Sequence, residues 1–293
     1  MLDLLVVGDC NPDLLLAGAD VTPEFGQGEK RVDDARLLVG GSAAIAACGA
    51  ARLGLSVALV AAVGDDVFGR FMLDELASHG VDVSACPVDR ARSTGITVAL
   101  VRGDDRAMLT AAGAIPALTA ADVPPDMLRA ARHLHVASFF LLDGLRPGMR
   151  DLVDAAHSGG ATVSVDPQGD PAGRWDGGLS ALAPSLDVLF LNEHEHRMVA
   201  ADGCPLVVVK RGSRGASAIA GGAVVTASAP EVEVMDATGA GDSFDAGFIA
   251  GRLRGVDLPG ALALACACGA LSTRALGGTA AQPAFDEARA AAR

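Results

Sequence analysis

The chain has 293 residues and is 51% hydrophobic, enough to bury one large core or two modest ones, so disorder is excluded as its main state. Lys and Arg number 23 against 36 Asp and Glu, a formal charge of −13, and aromatics make up 3% with no Tyr. This balance weighs against DNA, RNA or an anionic membrane as a partner, and against a base-stacking surface. Any nucleotide phosphate must be held locally, by backbone N–H groups, a metal ion or a few basic residues.

In chain order, Leu4–Gly8 reads as a buried first strand, not as a signal peptide, because Asp3 interrupts it and no basic region precedes it. Residues 12–39 alternate between short, partly exposed strands and turns, with Pro23, Gly26 and Gly28 as breakers. Ser42–Leu53 is an Ala-rich helix stopped by Gly54. Val57–Val63 predicts the next strand, and Phe68–His79 an amphipathic helix ended by Gly80. Ser93–Arg102 and Ala107–Ala111 read as a hairpin turned at Gly103-Asp104-Asp105. His133–Ser138, Thr162–Asp166, Val188–Leu191 and Leu206–Lys210 read as strands, with Met149–Ser158 a clear helix among them. Ala216–Ala220 and Ala223–Ala227 form a second hairpin, and Leu258–Leu276 is helical. Strands alternating with helices predict a mostly parallel sheet covered by helices. No linker or internal repeat divides the chain, so 1–293 is expected to be one domain. Two excursions, about 12–39 and 93–111, would build a small second sheet over the C-terminal strand ends, where open parallel sheets bind ligands.

The cysteines, Cys10, Cys48, Cys86, Cys204, Cys266 and Cys268, form no Cys-x-x-Cys pair. They suggest neither a zinc site nor a disulfide framework, and a reducing cytoplasm fits them. No apolar run is long enough to span a membrane.

The most informative stretch is Asp236-Ala-Thr-Gly-Ala-Gly-Asp242-Ser-Phe-Asp-Ala-Gly. Gly239, Ala240 and Gly241 let the backbone approach a ligand, and the helix that follows offers unpaired N–H groups to an anion. An acid beside an anion site is unfavourable unless it faces a hydroxyl about to attack the phosphate. Asp242 is therefore either that acid or a simple helix cap. The phosphate-binding schemes with side-chain signatures are missing. The lysines, Lys30 and Lys210, do not follow Gly as a P-loop requires, and no Gly-x-Gly-x-x-Gly opens the helix after the first strand. No protein-kinase signature is present.

Several motifs occur together in order: Gly40-Gly41 with Arg52-Leu53-Gly54, Gly64-Asp65-Asp66-Val67-Phe68-Gly69, Ser93-Thr94-Gly95, Asp166-Pro167, Asn192-Glu193-His194-Glu195, Lys210-Arg211-Gly212-Ser213-Arg214-Gly215-Ala216, and the Asp236–Asp242 run. With these the chain resembles the ribokinase, or PfkB-type, carbohydrate kinases over nearly its whole length. The resemblance implies an α/β three-layer sandwich with a mostly parallel central sheet and a small β-sheet lid. It implies an ATP-dependent kinase that moves the γ-phosphoryl group to a sugar hydroxymethyl group. Asp242 would be the base, kept ionised by a helix N-terminus. The N–H groups of Gly239, Ala240, Gly241 and Asp242 would form the anion hole. Asn192 and Glu195 would act near Mg²⁺ through water, and Gly212 and Gly215 would let ATP lie along their loop. Lys210 would reach a phosphate, Asn11 and Asp13 would bind sugar hydroxyls, and Gly40 and Gly41 would admit the sugar. Asp236 would help hold K⁺, with carbonyls between Arg274 and Gly278 as further ligands. Each role has a plainer counterpart: Asn192 caps a helix, Asp13 follows a turn, Lys210 is a surface charge.

The chain departs from that pattern at Ser42 and Ile45, where sugar-specific relatives carry polar residues; Ile45 cannot pair a hydroxyl. Gly113-Ala114-Ile115 also has Ile where Asn is common. Phe139 and Phe140 either line the pocket or belong to the core. Arg92, Arg102 and Arg106 either meet an anionic group or are solvated lid charges. A nucleoside kinase and a non-catalytic sugar- or nucleoside-binding relative are the alternatives. An apolar lid sheet predicts a homodimer.

Overall fold

The structure, a computed structural model, describes residues 2–26, 28–102 and 105–292. The N-terminal part runs β1 (Leu2–Val7), β2 (Asn11–Ala17), β3 (Asp34–Gly40), α1 (Ser42–Arg52), β4 (Val57–Val60) and β5 (Val63–Gly64). It continues through α2 (Val67–Ser78), β6 (Val81–Asp82), β7 (Val88–Asp89), β8 (Ile96–Arg102) and β9 (Asp105–Ala111). Then come α3 (Pro125–Ala130), β10 (Ala131–Ala137), α4 (Met149–Ser158), β11 (Thr162–Asp166), α5 (Leu179–Leu182), β12 (Val188–Asn192) and α6 (Glu193–Met198). The C-terminal part is β13 (Val207–Lys210), β14 (Ala216–Ala220), β15 (Ala223–Ala227), α7 (Ala240–Leu253), α8 (Leu258–Ser272) and α9 (Phe285–Ala291).

Among the described residues the main sheet has nine strands in the order β15-β14-β13-β12-β11-β10-β1-β4-β6. It is parallel from β13 to β6, with the β14–β15 hairpin antiparallel at one edge. Alternation along β1 builds both faces. Leu4 and Val6 pack with α1, α7 and α8, whereas Leu5 and Val7 pack with the α3–α5 side. Chain order reverses between β1 and β10, which places a crevice at their C-terminal ends. A second sheet, β3-β2-β8-β9, is built from the two predicted excursions. Gly103 and Asp104, two residues of the predicted Gly103-Asp104-Asp105 turn, lie outside the described residues.

Several boundaries differ from the sequence expectation. The Val57–Val63 strand divides, because Val63–Gly64 leaves the main sheet to pair with Val88–Asp89. The last long helix stops at Ser272 and not at Leu276. The Thr273 carbonyl accepts the N–H groups of Met235 and Asp236, at 2.8 and 3.1 Å, and this ties the chain to the Asp236–Asp242 loop, the candidate anion loop. α7 starts two residues before Asp242, because Gly239 turns into it at φ 71°, in the left-handed region open to glycine. The short α9, where the Arg254 guanidinium lies 4.1 Å from the centre of the Phe285 ring, was not expected.

Candidate active site

Asp242 is the third residue of α7, 6% exposed. At this helix start Ala240 N–H donates to the Ala237 carbonyl at 3.3 Å and Ser243 N–H to the Gly239 carbonyl at 2.9 Å. A Cβ added to Gly239 would come within 2.8 Å of Ile45 Cγ2 and the Gly278 backbone, so the loop approaches its neighbours too closely for a side chain. Gln168 Nε2 donates to Asp242 Oδ1 at 3.0 Å. Burial and then the Asp166 charge push the Asp242 carboxyl well above the usual range, against the pull of Lys210.

Lys210, at the end of β13, points inward. Its ammonium pairs with Asp166 at the end of β11 and lies 3.2 Å from Asp245 Oδ2. Both carboxylates are essentially inaccessible. An added Cβ on Gly241 would lie 3.4 Å from Lys210 Nζ, which places the charge just behind the anion loop. Burial opposes every charge here. Lys210 nonetheless holds Asp166 below the ordinary value, and the two acids hold Lys210 above its own. Asp245 is raised, by burial first and then by its acidic neighbours, although Lys210 opposes this. Lys210 is therefore not the surface charge that was one reading of it. Asp245, Asp9 and Gln168 were missed; Asp245, three residues beyond Asp242 on one helical face, carried a readable signal.

Asn192 and Glu195 form a reciprocal capping box at the start of α6. Asn192 Oδ1 accepts the N–H groups of His194 and Glu195 at 2.9 Å each, and Glu195 Oε2 accepts Asn192 N–H at 2.7 Å. Burial and the charge of Asp166 raise Glu195 to about 7. Among the described residues no group of three or more His, Cys, Asp or Glu could hold a metal ion by itself. One Glu195 oxygen beyond the capping bond suits Mg²⁺ held largely by water and phosphate oxygens, the arrangement this ion favours.

At the other end of the crevice, Asp9 caps α1 by accepting Ser42 N–H at 3.1 Å and Ala43 N–H at 2.9 Å. Asn11 Nδ2 donates to Asp13 Oδ1 at 3.4 Å and to Thr97 Oγ1 at 3.2 Å. A Cβ on Gly40 would overlap the Asp13 carboxylate. Gly41, at φ 83°, brings the chain against the Asp9 backbone. Ile45 is buried against Gly239 and Gly278, under the anion loop, so its apolar character serves packing there. Ile115, Phe139 and Phe140 are likewise core residues.

A cavity of about 500 Å³ lies between the small sheet and the anion loop, lined by Asp13, Leu15, Ala99, Met108, Asp236 and Thr238 among others. Arg92 pairs with Asp89 at 2.8 Å; the Arg106 side chain lies outside the described residues. A larger cavity, about 840 Å³, opens by Arg129, Arg132 and Arg252 and contains none of the candidate site residues.

Gly212, at φ 58°, faces open space. Gly215 differs: a Cβ there would overlap the Ala227 carbonyl, so this glycine lets the hairpin close. Asp236 is a strut. Its Oδ1 accepts Thr238 N–H at 2.9 Å and Thr238 Oγ1–H at 2.7 Å, and its Oδ2 accepts Gly277 N–H at 2.9 Å.

The pfkB family carbohydrate kinase model matches residues 1–284. The ATP-dependent ribose-1-phosphate kinase of Halopiger xanaduensis is 35% identical over 283 residues, covering 93% of this chain and 92% of that protein. The nucleoside kinase of Methanothermobacter thermautotrophicus is 32% identical, covering 87% of this chain and 84% of that protein. An E. coli protein assigned as ribokinase II, solved with ATP and Mg²⁺, superposes with a TM-score of 0.86 at 25% identity, covering 99% of this chain and 98% of that one.

Proposed function

We propose, from the premise that this chain belongs to the pfkB family of carbohydrate kinases and so is a phosphotransferase with an alcohol acceptor, that it carries the γ-phosphoryl group of ATP to the hydroxymethyl group of a sugar, with Asp242 as base. The observation that carries this reading is a buried carboxylate in the first turn of α7, hydrogen-bonded by Gln168 and with the Lys210 ammonium just behind the neighbouring Gly241. Phosphoryl transfer has a loose transition state, so the residue contributes mostly by aligning the hydroxyl.

The N–H groups of Gly239, Ala240, Gly241 and Asp242 receive the transferring group, and Lys210 behind Gly241 adds positive charge to that end. ATP lies along the Gly212 loop. Glu195, with Asn192 holding its helix, would hold Mg²⁺ through bound water; the ion would neutralise phosphate charge. Asn11 and Asp13 bind acceptor hydroxyls above Gly40 and Gly41. A K⁺ beside the anion loop would need backbone carbonyls, because the Asp236 carboxylate oxygens already accept N–H and O–H groups.

A nucleoside acceptor is the second reading. It is favoured by the apolar wall that Leu15, Leu38, Ala99, Val101 and Met108 present to the 500 Å³ cavity, beside the Asp13 carboxylate. A homodimer through the outer face of the small sheet belongs to the same proposal. There Leu37, Leu14, Val98 and Leu109 align in one row, and Ala35, Leu16, Leu100 and Ala107 in another.

The test is turnover with ATP and Mg²⁺ over pentoses, hexoses, sugar acids and nucleosides, for the parent and for Asp242→Asn. A base that aligns and deprotonates contributes about 10²–10⁴-fold, so the variant should lose that much kcat on the best acceptor. Near-parental turnover by Asp242→Asn would remove Asp242 from this role.

A further inference from the structure

We propose that Gln168 is a positioning residue for the transfer: its carboxamide braces the Asp242 carboxylate against Asp166, and through Asp166 against the Lys210 ammonium. Resting on the assignment of Asp242 as base, this adds a residue that no sequence motif indicated. Gln168 Nε2 lies 3.0 Å from Asp242 Oδ1 and 3.2 Å from Asp166 Oδ2, and Gln168 N–H donates to Asp166 Oδ1 at 3.1 Å. Both side-chain partners are carboxylates, so the NH₂ end of the amide must be the end that faces them. It supplies one hydrogen to each acid and separates two groups that would otherwise repel. Asp166 is fixed in turn by Lys210, which also approaches Asp245. Gln168 thus joins the base to a rigid, buried ion cluster.

The backbone adds an independent sign. Gln168 sits at φ 57°, in the left-handed region that Gly and Asn enter far more readily than Gln. Residues held there against preference gather where the surroundings over-determine a conformation. Gln offers what Asn and Gly lack, an amide long enough to reach Asp242. The amide does not titrate, so it cannot take the hydroxyl proton; it can only hold the acceptor atom in line. An unbraced carboxylate rotates away from the attack geometry, and misplacement by about 1 Å costs about a hundredfold in rate.

Gln168→Asn and Gln168→Gly separate reach from backbone fit, because both suit the left-handed turn and neither reaches Asp242. The two variants, Asp242→Asn and the parent should be compared on the best acceptor for kcat, both KM values, the pH profile of kcat/KM and the thermal midpoint. We expect kcat to fall about ten- to hundredfold in both Gln168 variants, with KM values within about twofold and the midpoint unchanged or higher. The acid limb should move to higher pH, because a lost donor to the carboxylate favours its protonated form. Parental kcat and an unmoved limb in Gln168→Asn, with Asp242→Asn inactive, would overturn the positioning role alone. A kcat loss that follows a lowered midpoint with no movement of the limb would reduce Gln168 to a structural residue. An active Asp242→Asn would overturn the base assignment and this proposal with it.

Discussion

Lys210 and Asp166 form a buried ion pair whose ammonium lies behind the anion loop, with Asp245 Oδ2 3.2 Å from the same nitrogen. One cation thus holds two carboxylates that water does not reach. Breaking a buried pair by removing one partner costs about 3–5 kcal/mol, whereas removing all the charges together often costs far less. Lys210→Met should therefore lower unfolding stability by about 3–5 kcal/mol, measured by urea denaturation at pH 7.5. Adding Asp166→Asn and Asp245→Asn should return most of it. A Lys210→Met protein as stable as the parent would show that the two acids do not depend on this charge.

That cluster was only half legible in the sequence, and the reason is physical. Met149–Ser158, Thr162–Asp166 and the Ala216–Ala227 hairpin were readable to the residue, because local periodicity and turn glycines decide them. The Asp242 loop was readable because its small residues and acid are contiguous. Lys210, Asp166 and Asp245 are 35 to 79 positions apart and meet only because β13 and β11 end beside α7. Nothing near Lys210 indicates whether it faces solvent or the crevice. Ile45 misled in the same way: a residue next to the Gly40–Gly41 turn was expected at the substrate, but the helix turns its side chain under Gly239. Gln168 carried no signal, since its importance lies in a left-handed backbone and a contact 74 residues away.

His133 and His135, side by side on β10 and directed to opposite ends of one Ser164 hydroxyl, set an acid sensitivity. His133 Nε2 and His135 Nδ1 lie 2.7 and 2.8 Å from Ser164 Oγ, and His133 Nδ1 lies 2.6 Å from Thr162 Oγ1. Burial holds the two imidazoles neutral, at about 3 for His133 and about 4 for His135, against an ordinary value of 6.5. Below pH 6.5 the unfolded chain takes up these protons and the folded one does not. Stability from these sites is therefore complete above 6.5 and declines as pH falls, by about 1.4 kcal/mol per site per pH unit. Asp9, Asp242, Asp245 and Glu195 act in the opposite sense, because their folded values are raised. The effect is thus read as a difference from His133→Gln/His135→Gln. The stability of the parent relative to that variant should fall steadily from pH 6.5 to 4.5 in urea titrations. A difference independent of pH would mean that the imidazoles are charged in the fold.

The outer face of the small sheet predicts its own assembly. Register places Leu37, Leu14, Val98 and Leu109 side by side across four strands, and Leu109 is 63% exposed. The opposite face carries Asp13, Thr97 and Thr110 toward the crevice. A sheet with one face committed to a site and one apolar face outward is covered most simply by a second copy related by a two-fold axis, so that each substitution acts twice. The parent should sediment as a dimer at micromolar concentration, and Leu14→Glu/Leu109→Glu should sediment as a monomer with an unchanged far-ultraviolet circular dichroism spectrum. A parent that remains monomeric at tens of micromolar, or a charged variant that still dimerises, would place no interface on this face. If the lid is held down by its partner, the monomeric variant should also show a raised KM for the acceptor, because β2 carries Asn11 and Asp13. Its KM for ATP should be left nearly unchanged, because the Gly212 loop belongs to the far edge of the main sheet.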